Sequence, residues 1–200
     1  MTDRIGIRAW VAGLLAAAAV AGTPSAAGAG DPFAAGTKDV GLGAAASISL
    51  EGTRDLDTVA GFQLLPHAGY VVTDAVGPGW LRGNLELLLE PSLIHITSDA
   101  GSATVVGASG LGRWIFSGTR FRPYLDAGVG VLLGETHLEQ TTCGVNFLIQ
   151  GGPGVLVVLS DRTTLAVGYR YQHISNANAC RPNPGINSSA LYLGVSYLFR

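Results

Sequence analysis

Residues 79–91, GWLRGNLELLLEP, alternate between two kinds of side chain. Every second residue from Leu81 is apolar or small, namely Leu81, Gly83, Leu85, Leu87, Leu89 and Pro91. The positions between them carry most of the polar groups: Arg82, Asn84, Glu86 and Glu90. Because successive side chains of a strand point to opposite faces, this period of two predicts a strand that separates an apolar from a polar environment.

The same alternation recurs along the chain. It is clear in FRPYLDAGVGVLL (121–133), TTLAVGYRYQHIS (163–175) and SSALYLGVSYLF (188–199), whereas VNFLIQGGPGVLVVLS (145–160) is mixed and leaves its facing open. In all, eight such segments lie at roughly 40–50, 58–74, 80–95, 103–116, 122–134, 145–159, 163–173 and 188–199.

The number and length of these segments predict the fold class. Several reach the roughly 9 to 11 residues with which a tilted strand crosses a bilayer. An even number of strands can close on itself and leave no unpaired edge in lipid. The sequence therefore predicts an all-β protein, an eight-stranded antiparallel up-and-down transmembrane β-barrel.

Alternation alone does not say which face is outside, and a soluble lipocalin-like cup is the alternative. The low content of charged residues, 13%, favours the membrane, as do Tyr169, Tyr171, Tyr197 and the near-terminal Phe199, which suit aromatic girdles. The polar face then lines the lumen, where lone charges are costly and must pair. We expect this pairing for Arg82, Glu86, Glu90, Asp126 and Arg170.

The N-terminus resembles an export signal. Arg4 and Arg8 precede the apolar run AWVAGLLAAAAVAG, and Ala27-Gly28-Ala29 forms a small-residue cleavage site. We expect residues 1–29 to be a cleaved signal peptide and residues 30–200 to be the barrel in a Gram-negative outer membrane; an uncleaved anchor is the alternative. A net charge of −2 without a basic block argues against nucleic acid as a partner.

The position of His173 and Ser175 points to chemistry on the outside of the barrel. Barrels of this kind place both termini in the periplasm, so 117–120 and 160–162 become periplasmic turns, and 135–144 and 174–187 become outer loops. His173 and Ser175 share the parity of the apolar face and would point to lipid at the outer end of their strand. A histidine beside a serine can accept the hydroxyl proton and create a nucleophile, which implies a lipid substrate. Ordinary interfacial residues are the alternative.

Four stretches of the chain resemble one family. GYRYQHISNANACRPNPGIN (168–187), RGNLELLLEP (82–91), RPYLDAGVGVL (122–132) and NFLIQGGPGV (146–155) are similar to segments of the lipid A 3-O-deacylase family, known as PagL. The resemblance implies an eight-stranded outer-membrane barrel with a Ser-His-Glu arrangement on its outer wall. It also implies lipid A, the anchor of lipopolysaccharide, as the substrate and a position in the outer leaflet.

The resemblance assigns roles to five residues. Ser175 matches the nucleophile, His173 matches the general base, and Asn176 and Asn183 match asparagines around the site; a turn role is the alternative for both asparagines. Asn187 occupies the position of the family's glutamate. An amide can orient a histidine but cannot supply a carboxylate's charge. Glu135 or Glu139 in the neighbouring outer loop is an alternative acid.

The function implied is a serine esterase that removes the 3-O-linked hydroxyacyl chain from lipid A. The alternative is a catalytically weak or inactive small outer-membrane barrel with a structural or lipid-binding role. Serine ester hydrolysis needs no cofactor, and His67, His95 and His137 show no metal-ligand spacing, so we predict neither cofactor nor metal. Cys143 and Cys180 fall in the two outer loops that flank one strand, a placement that would allow a disulfide in an oxidising compartment, but the sequence leaves open whether they are joined.

Overall fold

The chain closes eight antiparallel strands into a barrel in which every strand pairs with its neighbours in sequence, as predicted. The computed structural model describes residues 30–50, 58–99, 101–135, 143–181 and 183–200. The expected signal peptide at 1–29, His137 and Glu139 lie outside these residues. The strands are β1 Lys38–Ser49, β2 Ala60–Val71, β3 Gly83–Ser98, β4 Gly101–Phe116, β5 Phe121–Leu133, β6 Val145–Ser160, β7 Thr163–Ser175 and β8 Ile186–Phe199. No helix in the described ranges is long and apolar enough to span a membrane.

The pairing of the first strand with the last removes the free edges of the sheet. β1 pairs with β8 along its whole length, from Lys38 opposite Phe199 to Ser49 opposite Ser188. In hydrocarbon each backbone group must find its partner within the protein, and a closed ladder meets this condition. We call the end where β1 begins and β8 ends the terminal end, and the opposite end the loop end.

The alternation seen in the sequence separates the two surfaces of the barrel. In β3, Leu87 and Leu89 are 53% and 58% exposed, whereas Glu86 and Glu90 are 0% and 2% exposed. The mixed sequence of β6 also has a defined facing in its first half, where Phe147 is exposed and Gln150 is buried. The outer surface is therefore apolar, and the polar residues of the strands lie in the lumen.

A network of charged residues fills the middle of the lumen. Arg170 donates to Glu90 at 2.7 Å and to Asp126 at 3.1 Å. Arg113 of β4 contacts Glu86 at 3.3 Å and Asp126 at 3.5 Å. Because all five side chains are buried, each charge is compensated by a partner rather than by water.

The prediction that Arg82 belongs to this network was wrong. Arg82 follows the short 3-10 turn Gly79–Leu81 and precedes β3, so its side chain is exposed at the terminal end. The second lumenal guanidinium comes instead from Arg113, which lies opposite both Glu86 on β3 and Asp126 on β5.

Apolar side chains pack the lumen on both sides of the network. Toward the loop end the buried cluster is Val59, Ile94, Ile96, Val105, Leu132, Leu148, Ile174 and Ile186. Toward the terminal end Phe33, which precedes β1, is buried with its ring 5.1 Å from the guanidinium of Arg122, and Asp31 pairs with that guanidinium at 2.9 Å. The lumen is thus a packed core, as the small size of an eight-stranded barrel requires.

Two connections depart from the expected pattern of short turns at one end and long loops at the other. The connection of β2 to β3 at the terminal end spans residues 72–82, and a bridge between Val76 and Gly83 gives it structure of its own. At the loop end β3 and β4 are long strands joined by residues 99 and 100 alone. The last outer connection is shorter than predicted, at 176–185, because β7 and β8 continue further toward the loop end.

Replacing Arg170 with methionine is expected to destabilise the barrel by about 3 to 5 kcal/mol, since Glu90 loses its cationic partner in a buried site. Arg82→Met is the matched control, because the same change at an exposed position should leave stability within roughly 0.5 kcal/mol of the parent. Urea unfolding in lipid vesicles, followed by tryptophan fluorescence, measures both. Equal stability of the two variants would contradict the assigned lumenal network.

Candidate active site

His173, Ser175 and Asn187 lie together at the loop end of the outer wall. His173 and Ser175 are two residues apart near the end of β7, with the outward parity of Tyr169 and Tyr171. Asn187 is directly opposite His173 on β8. All three side chains are half-buried, so they are supported by neighbours yet reachable from outside the barrel.

A hydrogen bond joins His173 to Asn187. The imidazole Nδ1 lies 2.7 Å from Asn187 Oδ1. Because an amide oxygen only accepts, this contact requires the proton on Nδ1 and leaves the lone pair on Nε2. His173 is then in the tautomer that can accept a proton through Nε2.

Gly185 lies next to the side chains of both His173 and Ser175. A Cβ built on this glycine would lie 3.1 Å from His173 Cε1 and 3.6 Å from Ser175 Cβ, so both side chains border the same small space. Ser175 Oγ forms no hydrogen bond with the described residues, which leaves the hydroxyl available to a partner on the outside. The imidazole and the Cβ of Ser175 thus border the same space at one end of β7, and no hydrogen bond joins His173 Nε2 to Ser175 Oγ among the described residues.

The glycine itself was missed as a site residue in the sequence. Gly185 has φ of +75°, in the left-handed region, and a side chain there would press on the imidazole. Both conditions favour glycine. The signal was available in the NPG turn at 183–185, but a turn sequence does not reveal which side chain its backbone touches.

The two asparagines are also brought together, through one backbone contact. Asn176 N–H donates to Asn183 Oδ1 at 3.1 Å, which ties the two ends of the 176–185 connection. The Asn176 side chain has inward parity, is fully buried, and has no partner for either amide atom among the described residues. Since Asn183 Oδ1 is engaged, its Nδ2 is directed away from the Asn176 backbone.

A tyrosine contact was not foreseen. Tyr171, taken from the sequence as a girdle residue, donates its hydroxyl hydrogen to Asn187 Oδ1 at 2.7 Å, the same atom that His173 contacts.

Of the two alternative acids, Glu139 lies outside the described residues, and Glu135 is exposed just after the end of β5. The partner of His173 Nδ1 is the amide of Asn187 rather than a carboxylate.

A second histidine and serine pair lies in the lumen. His67 Nε2 is 2.9 Å from Ser196 Oγ and 3.1 Å from Asp39 Oδ1. All three side chains are buried toward the terminal end, and the serine and the carboxylate contact the same ring nitrogen. This cluster therefore has neither access for a lipid nor the relay through two ring nitrogens that a serine nucleophile needs.

A disulfide, which the sequence left open, ties two of the outer connections together. Cys143 and Cys180 are joined, with their Cα atoms 5.6 Å apart, and so link the segment before β6 to the connection after β7. Asn146 Nδ2 donates to Cys143 O at 3.0 Å and fixes the first of these segments to β6. The connection that carries Asn176 and Asn183 is thereby tied to the neighbouring strand.

Comparisons with known proteins agree on the fold and on one family. The family model described as lipid A 3-O-deacylase (PagL) matches residues 68–196. The crystal structure of the outer membrane enzyme PagL matches with a TM-score of 0.54 and 19% identity, covering 78% of this chain and 97% of that one. Neisserial surface protein A matches with a TM-score of 0.57 and 19% identity, covering 82% and 99%. A search of curated proteins found no match.

Removing the disulfide, with serine at both Cys143 and Cys180, should loosen the 176–185 connection while the barrel stays closed. A disulfide contributes about 2 to 4 kcal/mol of stability. If the 176–185 connection lost about 2 kcal/mol of its stability against local opening, amide exchange at Asn176 would be roughly 30-fold faster. Hydrogen exchange in detergent micelles measures this, with the β7 amide of Ala166 as the internal reference. Unchanged protection at Asn176 would mean that the disulfide does not hold this connection.

Proposed function

The chain belongs to the lipid A 3-O-deacylase (PagL) family, and from this membership we propose that it is an outer-membrane serine esterase. Its substrate would be lipid A of lipopolysaccharide, and its reaction the hydrolysis of the ester that holds the 3-O-linked hydroxyacyl chain. The observation that carries the proposal is the hydrogen bond from His173 to Asn187 on the outer wall beside Ser175. This arrangement supplies a base in the required tautomer beside the side chain of the proposed nucleophile.

The place of the site suits a substrate that lies in the membrane. By register, His173 is next to Ile149 and Ser175 is next to Phe147 on β6, and both of these side chains are exposed on the outer wall. A lipid in the outer leaflet lies alongside this wall, with its acyl chains against the apolar residues. Its ester groups, near the headgroup, would then meet Ser175 without leaving the membrane.

The residues divide the reaction into two steps. Ser175 Oγ attacks the ester carbonyl while His173 Nε2 takes the hydroxyl proton, and the collapsing intermediate expels the sugar oxygen, which receives that proton from His173. A water molecule, deprotonated by His173, then hydrolyses the acyl-enzyme. The products are a free hydroxy fatty acid and lipid A with a hydroxyl at the 3-position.

The negative charge on the intermediate needs a hydrogen-bond donor. Asn183 Nδ2 is the better supported of the two asparagines, because its amide oxygen is held by Asn176 N–H and its nitrogen is left to donate. The Asn176 amide, although directly after the nucleophile in sequence, has inward parity and is fully buried, and its Nδ2 has no partner among the described residues. A donor to this charge contributes roughly 3 to 4 kcal/mol to the stabilisation of the transition state.

Asn187 sets the expected strength of the enzyme. Its amide oxygen orients the imidazole, as the acid of a triad does, but it carries no charge to stabilise the imidazolium that forms during attack. We therefore propose a slower enzyme than a relative with glutamate at this position. The catalytically inactive barrel remains the alternative, and this missing charge is the observation in its favour.

Ser175→Ala should lower deacylation by roughly a thousandfold or more, because the nucleophile is lost. Mass spectrometry of lipid A from cells that express each variant measures the loss of one hydroxyacyl mass. Ser189→Ala is the matched control, since Ser189 is on the same outer wall of β8 and has no part in the reaction. If Ser175→Ala still removed the chain, the assigned nucleophile would be wrong; if the parent removed none, the inactive-barrel alternative would hold.

Asn187→Glu is expected to raise the rate by roughly ten- to a hundredfold, because a carboxylate both orients His173 and stabilises its charged form. Initial rates on purified lipopolysaccharide in detergent measure the change, with Asn187→Leu as the variant that loses both effects and should be slower than the parent. A rate for Asn187→Glu at or below the parent's would show that the amide is itself the working group.

A further inference from the structure

The use of an asparagine beside His173 creates a difficulty that a carboxylate does not have. A carboxylate presents two equivalent acceptor oxygens, whereas an amide has an oxygen at one end and an NH₂ group at the other. If the Asn187 amide turned its nitrogen toward Nδ1, that nitrogen would donate, and the imidazole proton would move to Nε2. His173 could then no longer accept a proton from Ser175 through that atom.

The Tyr171 hydroxyl favours one of these two orientations of the Asn187 amide. It lies 2.7 Å from Asn187 Oδ1, and His173 Nδ1 lies 2.7 Å from the same oxygen. The two donors thus converge on one end of the amide from β7. A phenol hydroxyl is a better donor than acceptor, so it favours the oxygen end of Asn187, which accepts, over the NH₂ end, which only donates.

We propose that Tyr171 is a positioning residue of this site: its hydroxyl holds the Asn187 amide oxygen toward His173 and thereby maintains the imidazole tautomer that serves as the base. This role rests on the proposed esterase function. It assigns to Tyr171 a task beyond that of an aromatic residue at the membrane surface. It also explains how an asparagine can stand where the family's pattern has a glutamate.

Tyr169 offers an internal comparison. It is two residues before Tyr171 on the same face of β7, is similarly exposed, and has its hydroxyl 2.9 Å from Ser189 Oγ. Both tyrosines therefore form one hydrogen bond to β8, but the one made by Tyr169 does not reach Asn187 or His173. A purely structural or interfacial contribution should be about equal for the two hydroxyls.

The kinetic test compares Tyr171→Phe with Tyr169→Phe in the full-length barrel. We expect Tyr171→Phe to lower kcat by roughly tenfold with little change in KM, as for the loss of other partners that orient a functional histidine. Tyr169→Phe should leave both unchanged. In the Asn187→Glu background, where either carboxylate oxygen can accept from Nδ1, the cost of Tyr171→Phe should fall below about twofold. An equal cost in both backgrounds, or no cost in the parent, would overturn the proposal.

A spectroscopic test does not depend on esterase activity. The ¹⁵N shifts of the His173 ring, assigned by difference with His173→Gln, report which nitrogen carries the proton. We expect the Nδ1–H form in the parent and in Tyr169→Phe, and a mixture with the Nε2–H form in Tyr171→Phe. A single Nδ1–H form in Tyr171→Phe would overturn the role of the hydroxyl. A parent that shows the expected tautomers without hydrolysing lipid A would refute the esterase and leave this hydrogen-bond assignment standing.

Discussion

The strict alternation of side chains between the lumen and the outer wall governs both the stability and the chemistry of this barrel. In β7 the inward residues Arg170 and Gln172 belong to the buried polar network, while the outward residues Tyr171 and His173 form the site. A slip of one residue would turn Arg170 into lipid and His173 into the lumen, and a charge in hydrocarbon is costly. The ion pairs of Arg170 with Glu90 and Asp126 therefore fix the register on which the outer site depends.

A rigid wall gives the site its geometry, and a short connection completes it. Adjacent strands hold His173 opposite Asn187, and this spacing is set by the backbone ladder rather than by flexible loops. The 176–185 connection adds Gly185 against the imidazole and Asn183 against Asn176 N–H, and the disulfide ties it to the segment before β6. The groups are thus held near one another before a substrate arrives, which lowers the entropy lost in reaching the transition state.

The sequence was informative where a simple period decides the structure. Period two predicted eight strands. The low charge content and the aromatic residues then identified the apolar face as the outer one, which placed His173 and Ser175 outward, whereas the facing of the sixth segment was left open. The sequence did not predict the lumenal partner of Glu86, because Arg82 and Arg113 are both candidates by charge and only the strand register brings Arg113 opposite it. The contacts of Tyr171 and Gly185 with the site were missed for a similar reason, since one arises across two strands and the other through a turn. Local patterns identify faces, whereas cross-strand partners depend on register.

The central claim is that Ser175 is a nucleophile activated by His173 on the lipid side of the wall. A fluorophosphonate probe with a long alkyl chain tests it most directly, because it reacts covalently with an activated serine and partitions into the membrane. Peptide mass mapping of the labelled barrel should locate the phosphonyl adduct on Ser175, and His173→Gln should abolish the labelling. Labelling that persists without the imidazole, or an adduct on another serine with Ser175 unmodified, would contradict the account.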